Sequence, residues 1–259
     1  MIVKRIIIAL TLVLFCSGCA SSPELTGEGA PIKKNPAKAR AHLSLGAAHL
    51  RRGLTTPALK ELLMAEKYNP KNADVQNHLG LAFMAKKRYP AAVAHLEQAL
   101  ALRKDFSDAH NNLGTVYLAM RRYPEALAEF NQALSDILYA TPHFAHNNIG
   151  LVYFEQSLYG QAVAAFKKSI ETAPSYSIAH NNLGRAYMVM GNYQEAAKAF
   201  EKATEYAPNY AIAYFKMAEA YLEMGQRKKA RQALSQVIKI APNTTLSESA
   251  QQRLNELPD

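Results

Sequence analysis

The sequence predicts an all-α fold in which helix pairs stack one after another as a solenoid. The first observation is a short motif, AHNNLG at 109–114, which returns as AHNNIG at 145–150 and as AHNNLG at 179–184. Looser copies at 41–46, 75–80 and 213–218 complete a set of six. A small residue closes each copy, and these residues are 34, 34, 36, 34 and 34 positions apart. Self-similarity at this period is typical of solenoids, in which each unit contacts mainly its neighbours.

Alignment on the small residues gives six units, at 39–72, 73–106, 107–142, 143–176, 177–210 and 211–244. Within each unit, position 8 is the small residue, position 20 is alanine, and position 24 is Leu or Phe. The spacings around these positions place them on one face of each of two helices. Small residues at 8 and 20 let the paired helices approach closely, and large residues at 7, 11 and 24 fill the space beside them. Proline opens some second helices, as at Pro90 and Pro124, and follows others, as at Pro70.

This pattern resembles the tetratricopeptide repeat over residues 39–244. The resemblance implies a right-handed superhelix of six helix pairs, and residues 245–259 are expected to form a polar-faced helix that caps the last repeat. It also implies that the first helix of each pair lines the concave surface, with positions 2, 5, 9, 12 and 13 pointing inward.

Residues 1–18 have the layout of a lipoprotein signal peptide, with a cationic start, an apolar run and small residues before Cys19. A cysteine directly after Ser-Gly resembles the bacterial lipobox, although Cys16 stands where leucine is usual. We expect the Cys19 thiol to be acylated; the alternative is an exported protein without lipid. Ala20, in lipoproteins of this kind, favours sorting to the outer membrane, facing the periplasm. Because Cys16 and Cys19 are the only cysteines, the acylated mature chain would have no disulfide.

Residues 19–38 are rich in Gly, Pro, Ser and Lys without an apolar period, which predicts a flexible tether after the lipidated cysteine. The formal net charge is +9, and it falls to about +7 if Lys4 and Arg5 leave with the signal peptide. A basic surface suits nucleic acid, anionic lipid or an acidic partner. Because the signal peptide predicts export from the cytoplasm, we do not expect nucleic acid to be the partner.

Two rows of residues on the first helices are candidates for a peptide groove. Position 5 carries Asn77, Asn111, Asn147 and Asn181, and position 12 carries Met84, Leu118, Phe154 and Met188. A ladder of side-chain amides can pair with the backbone of an extended peptide of any sequence. Alternatively, these asparagines only solvate the groove. The apolar stripe either belongs to the core or holds apolar side chains of a partner.

The turns between paired helices are basic in the first three repeats. They contain Arg51, Arg52, Lys86, Lys87, Arg88, Arg121 and Arg122, whereas the turns of the next two repeats lack charge. We call these seven residues the basic edge. They are either a solvated face or a surface that rests against anionic lipid close to the tether.

The third unit carries two extra residues, in LSDILYATPHF at 134–144. This insertion, with Leu138 and Tyr139, is either a lengthened loop or a family feature. Together with the lipobox and the six repeats, it resembles the type IV pilus pilotin family, the biogenesis lipoproteins of the PilF, PilW and Tgl type. The resemblance implies an outer-membrane adaptor that binds the secretin subunit and promotes its localisation and multimerisation. We expect the chain itself to be monomeric.

Histidine recurs at position 4, but equivalent atoms on adjacent helices lie about 8–10 Å apart. Metal ligands must all approach one ion to about 2 Å, so we interpret these histidines as packing residues. No nucleophile, phosphate-loop or paired-carboxylate motif stands out, and the sequence predicts no cofactor and no catalysis. Two alternatives remain: a general periplasmic scaffold, such as an adaptor for peptidoglycan hydrolases, and an enzyme whose site has no recognisable motif.

Overall fold

The computed structural model describes residues 33–257. The expected signal peptide, Cys19, Ala20 and most of the tether therefore lie outside the described residues. Thirteen α-helices make up the described part, which contains no strand. They are α1 Pro36–Arg51, α2 Thr55–Tyr68, α3 Ala73–Ala85, α4 Tyr89–Leu102, α5 Ser107–Ala119, α6 Tyr123–Ser135, α7 Pro142–Glu155, α8 Tyr159–Thr172, α9 Ser177–Val189, α10 Tyr193–Tyr206, α11 Ala211–Glu223, α12 Arg227–Ile240 and α13 Thr245–Glu256. None of the described helices is long and apolar enough to cross a bilayer.

The helices pair in sequence, and the pairs stack in chain order. Each odd-numbered helix from α1 to α11 packs on the helix that follows it, and each second helix then packs on the first helix of the next pair. The backbones of first helices also approach those of the first helices in neighbouring pairs, whereas within 33–257 the Cα atoms of different second helices stay more than 8 Å apart. The first helices therefore form the inner surface of the stack. The prediction of a six-pair solenoid with a C-terminal cap is confirmed.

The glycine at position 8 is the point of closest approach within a pair. A Cβ atom built on Gly114, Gly150 or Gly184 would lie 2.5–2.6 Å from ring carbons of the phenylalanine at position 24. Those phenylalanines, and the alanine at position 20 of every repeat, are 0% exposed. The sequence prediction for positions 8, 20 and 24 is therefore confirmed: the large side chain sits directly over the glycine.

All six turns within a pair use one left-handed residue, at position 15. The φ angles are 72° at Gly53, 58° at Lys87, 59° at Arg121, 61° at Ser157, 75° at Gly191 and 69° at Gly225. The next residue closes the turn by donating its N–H to a carbonyl five residues earlier, as Leu158 does to Tyr153. Only glycine adopts this conformation without a steric cost, so three repeats carry strain at this position.

The two ends of the stack differ from its middle. The first helix begins at Pro36, inside the predicted tether, because the Asn35 side chain accepts a hydrogen bond from the Lys38 N–H at 3.0 Å and caps the helix. Leu45 at position 7 is 46% exposed, whereas Leu79 at the equivalent position is fully buried, since position 7 packs on the preceding pair. Helix α13 begins with a capping box formed by Thr244 and Ser247, and it packs on α11 and α12.

Candidate peptide-binding groove

The apolar stripe at position 12 is half-buried. Met84 and Leu118 pack against the core cluster that contains Phe130, and Phe154 packs against the cluster around Phe166. Met188 packs in the same way against the cluster around Phe200. Each of the two interpretations of the stripe, core or partner contact, therefore applies to one side of these residues. One side packs in the core, and the other is open on the first-helix surface.

The asparagines at position 5 are buried, with exposures of 3–8%. Each of the first three is tied to the next repeat by a hydrogen bond. The Nδ2 atoms of Asn112, Asn148 and Asn182 donate to the Oδ1 atoms of Asn77, Asn111 and Asn147 at 2.9, 3.1 and 2.9 Å. Position 5 of one first helix is thus joined to position 6 of the next, and the amide row holds neighbouring repeats in register.

These hydrogen bonds limit the donor and acceptor groups that the asparagine row can offer a partner. The side-chain oxygen of the first three asparagines is already engaged, and burial leaves only a small part of each amide accessible. Their Nδ2 groups make no hydrogen bond among the described residues. The sequence predicted a ladder that could both donate and accept; the geometry leaves mainly the donor half.

The row breaks at its last member. Position 6 of the sixth repeat is Lys216, which donates to the Glu219 carboxylate at 2.8 Å rather than to the preceding repeat. The Oδ1 atom of Asn181 is consequently buried without a hydrogen-bond partner among residues 33–257. An unpaired buried acceptor is costly, because folding removes the water that it would otherwise bind.

A cavity of about 250 Å³ lies beside this break. It is lined only by first helices: Phe154 from α7, Arg185, Met188 and Val189 from α9, and Lys216 and Glu219 from α11. The Arg185 guanidinium stacks over the Phe154 ring at 4.9 Å and donates to Asn182 Oδ1 at 3.1 Å. Two members of the predicted apolar stripe, Phe154 and Met188, therefore meet two cations and one carboxylate in the same hollow.

The basic edge is exposed along the turns of the first three repeats. Lys86 donates to Thr56 Oγ1 at 2.9 Å, which shows that the turns of the first two repeats are adjacent. Arg122 lies over the Tyr117 ring at 4.5 Å and pairs with Glu125 at 2.9 Å. The remaining members, Arg51, Arg52, Lys87, Arg88 and Arg121, form no ion pair among the described residues, so their charge is available to solvent or to a partner.

The insertion separates its two predicted residues. Asp136 fixes the loop by accepting hydrogen bonds from the Leu138 N–H at 2.8 Å and from Ser107 Oγ at 2.5 Å. Tyr139 is only 8% exposed and belongs to the core cluster of the third repeat, so it anchors the loop. Leu138 is 84% exposed and its neighbour Ile137 is 96% exposed. Of the predicted pair only Leu138 can contact a partner, and Ile137, which the sequence analysis did not select, accompanies it.

The sequence analysis also missed an apolar row at position 2. Phe144, Ile178 and Ile212 are 39%, 42% and 51% exposed on successive first helices. The signal was present in the sequence, because the same position carries an arginine and two aspartates in the first three repeats. The inner surface therefore changes from charged to apolar along this row.

The histidines at position 4 do more than pack. His42 and His110 are hydrogen-bonded, each through Nδ1, to Glu61 and Glu129 on the second helix at 2.7 Å. Burial opposes the charged form of His110, but hydrogen bonds to the Glu129 carboxylate and the Lys104 carbonyl outweigh burial and raise its pKa above 6.5. Both ring nitrogens face acceptors, an arrangement that only the imidazolium satisfies completely.

Four family models described as tetratricopeptide or TPR repeat match the chain, at residues 80–120, 105–175, 147–209 and 190–254. No curated protein matches it. Among solved structures, PilF of Pseudomonas aeruginosa is similar with a TM-score of 0.69 and 22% identity, over 84% of this chain and 98% of that one. PilW, described as a widely conserved type IV pilus biogenesis factor, has a TM-score of 0.73 and 23% identity, over 82% and 98%. YrrB, described as a TPR protein with an unusual peptide-binding site, has a TM-score of 0.53 and 22% identity, over 74% and 97%.

Proposed function

Since the chain is built of tetratricopeptide repeats, we propose that it is a lipid-anchored adaptor of type IV pilus biogenesis. Its partner would be the secretin subunit, whose localisation and multimerisation at the outer membrane it would promote. The observation that carries the adaptor role is the inner surface itself: buried amide donors run beside a half-exposed apolar stripe. The choice of the pilus is supported by the whole-length correspondence with PilF and PilW, which extends over 98% of each of those chains.

The groove suits an extended segment of a partner. The Nδ2 groups of the asparagine row would donate to backbone carbonyls of the segment, and Leu118, Phe154 and Met188 would contact its apolar side chains. Main-chain pairing gives affinity, and the side-chain contacts give specificity. Leu138 and Ile137, which are exposed on the insertion, would offer the partner a second apolar contact.

Lipidation at Cys19 would keep this groove at the membrane. Several acyl chains on a lipoprotein give stable anchoring, where one chain gives only marginal binding. A groove tethered in this way raises the local concentration of secretin subunits beside the membrane into which they assemble. The basic edge would face anionic headgroups during this step, and the process needs no catalysis.

The decisive experiment is mild crosslinking followed by pull-down of the full chain from cells that make pili. We expect recovery of secretin, and a Cys19→Ala variant should leave the membrane fraction and yield fewer heat-resistant secretin multimers. Recovery of peptidoglycan hydrolases without secretin would instead favour the general scaffold and reject the pilus role. Normal multimers in the Cys19→Ala strain would show that anchoring is dispensable.

The groove is tested separately by changing three asparagines of the position-5 row, Asn111, Asn147 and Asn181, to alanine. Far-UV circular dichroism should remain strongly helical, because Asn111 and Asn147 link repeats rather than build a helix, and the Asn181 oxygen has no hydrogen-bond partner among the described residues. Partner affinity should fall, since the row loses its donors. Undiminished affinity would mean that the row serves only repeat stacking.

A further inference from the structure

The end of the asparagine row marks a specific place in the groove. In the second, third and fourth repeats, the position-5 oxygen accepts a hydrogen bond from the position-6 asparagine of the next repeat. In the fifth repeat Lys216 replaces the donor, and the Asn181 Oδ1 atom is buried without a hydrogen-bond partner among the described residues. Lys216 itself lines the 250 Å³ cavity, together with Arg185 on the neighbouring first helix.

We propose that this cavity is a binding subsite for an extended peptide segment that carries an acidic side chain beside apolar ones. The acidic side chain pairs with Arg185 and Lys216, and a neighbouring apolar side chain contacts Phe154 and Met188. The inference rests on the proposed function, because it assigns a subsite of the same groove.

Charge favours an acidic segment over a neutral or basic one. The cavity contains two cations, Arg185 and Lys216, and only one carboxylate, Glu219. Arg185 uses one of its five donors on Asn182, and its stacking on Phe154 holds the guanidinium plane in place for a second acceptor. The apolar Phe154 and Met188 side chains beside the guanidinium lower the local dielectric, which strengthens a hydrogen bond between a carboxylate and this guanidinium.

Lys216 can change partners at little cost. Its pair with Glu219 spans one helical turn, and the two side chains are 39% and 24% exposed. Such pairs contribute little to stability, so an incoming carboxylate competes with Glu219 on nearly equal terms. An asparagine at this position would close the row, as in the three preceding repeats, but would remove one of the two cations from the cavity.

The test compares two variants that separate the acceptor from the charge. Lys216→Asn removes the charge and restores the missing donor, whereas Lys216→Met removes the charge alone. Lys202→Asn is the matched control, because Lys202 also pairs with a glutamate three residues later, at 2.7 Å, but lies on second helix α10. The probes are two fluorescein-labelled twelve-residue peptides, in which leucine alternates with aspartate or with asparagine, and binding is followed by fluorescence anisotropy.

We expect the full chain and the Lys202→Asn control to bind the aspartate peptide about tenfold more tightly than the asparagine peptide, as one charge-assisted hydrogen bond would give. Lys216→Met should lose most of that preference but keep binding to both peptides. Lys216→Asn should lose the preference to the same extent, and it should melt at a higher temperature than Lys216→Met, because Asn181 regains a partner.

Equal affinity of Lys216→Asn and the unmodified chain for the aspartate peptide would overturn the subsite, and so would failure of the unmodified chain to bind that peptide. Either result leaves the proposed function standing if secretin is still recovered by crosslinking. Conversely, peptide binding with the expected variant pattern, combined with a pull-down that lacks secretin, rejects the proposed partner and keeps the subsite.

Discussion

Replacing Gly150 with alanine tests the contact on which every helix pair depends. The new Cβ would lie 2.5 Å from both Cδ1 and Cε1 of Phe166 and 3.0 Å from its Cζ. Carbon atoms normally pack at about 3.5–4.0 Å, so the overlap is about 1 Å. Phe166 is 0% exposed, so either its buried ring or the spacing between α7 and α8 must shift to admit the new atom.

The expected loss follows from two opposing effects. Overpacking a buried site costs about 1–3 kcal/mol, and exchanging a helical glycine for alanine returns up to about 1 kcal/mol. We therefore expect Gly150→Ala to lower the free energy of unfolding by about 1–2 kcal/mol. Gly160→Ala is the matched control, because a Cβ there meets nothing within 4 Å and the residue also lies in a helix. It should be neutral or slightly stabilising.

A third variant checks the cause. The sixth repeat already combines alanine at position 8 with leucine at position 24, as Ala218 and Leu234, and both are buried. Adding Phe166→Leu to Gly150→Ala should therefore recover part of the loss. Urea denaturation followed by far-UV circular dichroism suits a chain without tryptophan. A Gly150→Ala protein as stable as the unmodified one, or additive effects in the double variant, would refute the close-contact account.

Three further predictions concern the turns, one histidine and the basic edge. Ser157→Gly should raise the free energy of unfolding by about 0.5–1 kcal/mol, because φ is 61° there; an unchanged urea midpoint would contradict this. The raised pKa of His110 means that its bond to Glu129 contributes fully below pH 6.5 and is lost as the pH rises through the folded-state value. The unmodified chain should thus lose stability relative to His110→Gln between acid and mildly alkaline pH, and parallel profiles would disprove the linkage. Lys86→Gln combined with Lys87→Gln should weaken binding of the unlipidated chain to phosphatidylglycerol vesicles by about 2 kcal/mol, roughly thirtyfold, and equal binding would rule out the lipid role of the edge.

The fold was predictable because its determining contacts repeat. Positions 8, 20 and 24 recur in six units, and the structure places them in one contact within each pair. The left-handed turns were also visible in principle, since glycine occupies position 15 in three repeats. The insertion was predictable as a change in the repeat period. The sequence does not show which of its residues are buried, namely that Tyr139 enters the core while Leu138 and Ile137 stay exposed. That outcome depends on Asp136, which fixes the loop through Ser107 of another helix.

By itself, the sequence determined the number of repeats, the helix pairs and the surface that the first helices share, because periodic side chains specify local contacts between neighbours. Only the tertiary structure decided how the asparagine row is used. Asn77 bonds to Asn112 thirty-five residues later, and that bond depends on the stacking angle between repeats. The same register leaves Asn181 without its donor, because Lys216 turns to Glu219 on its own helix. A row that is regular in the sequence therefore ends at one distinct site in the groove.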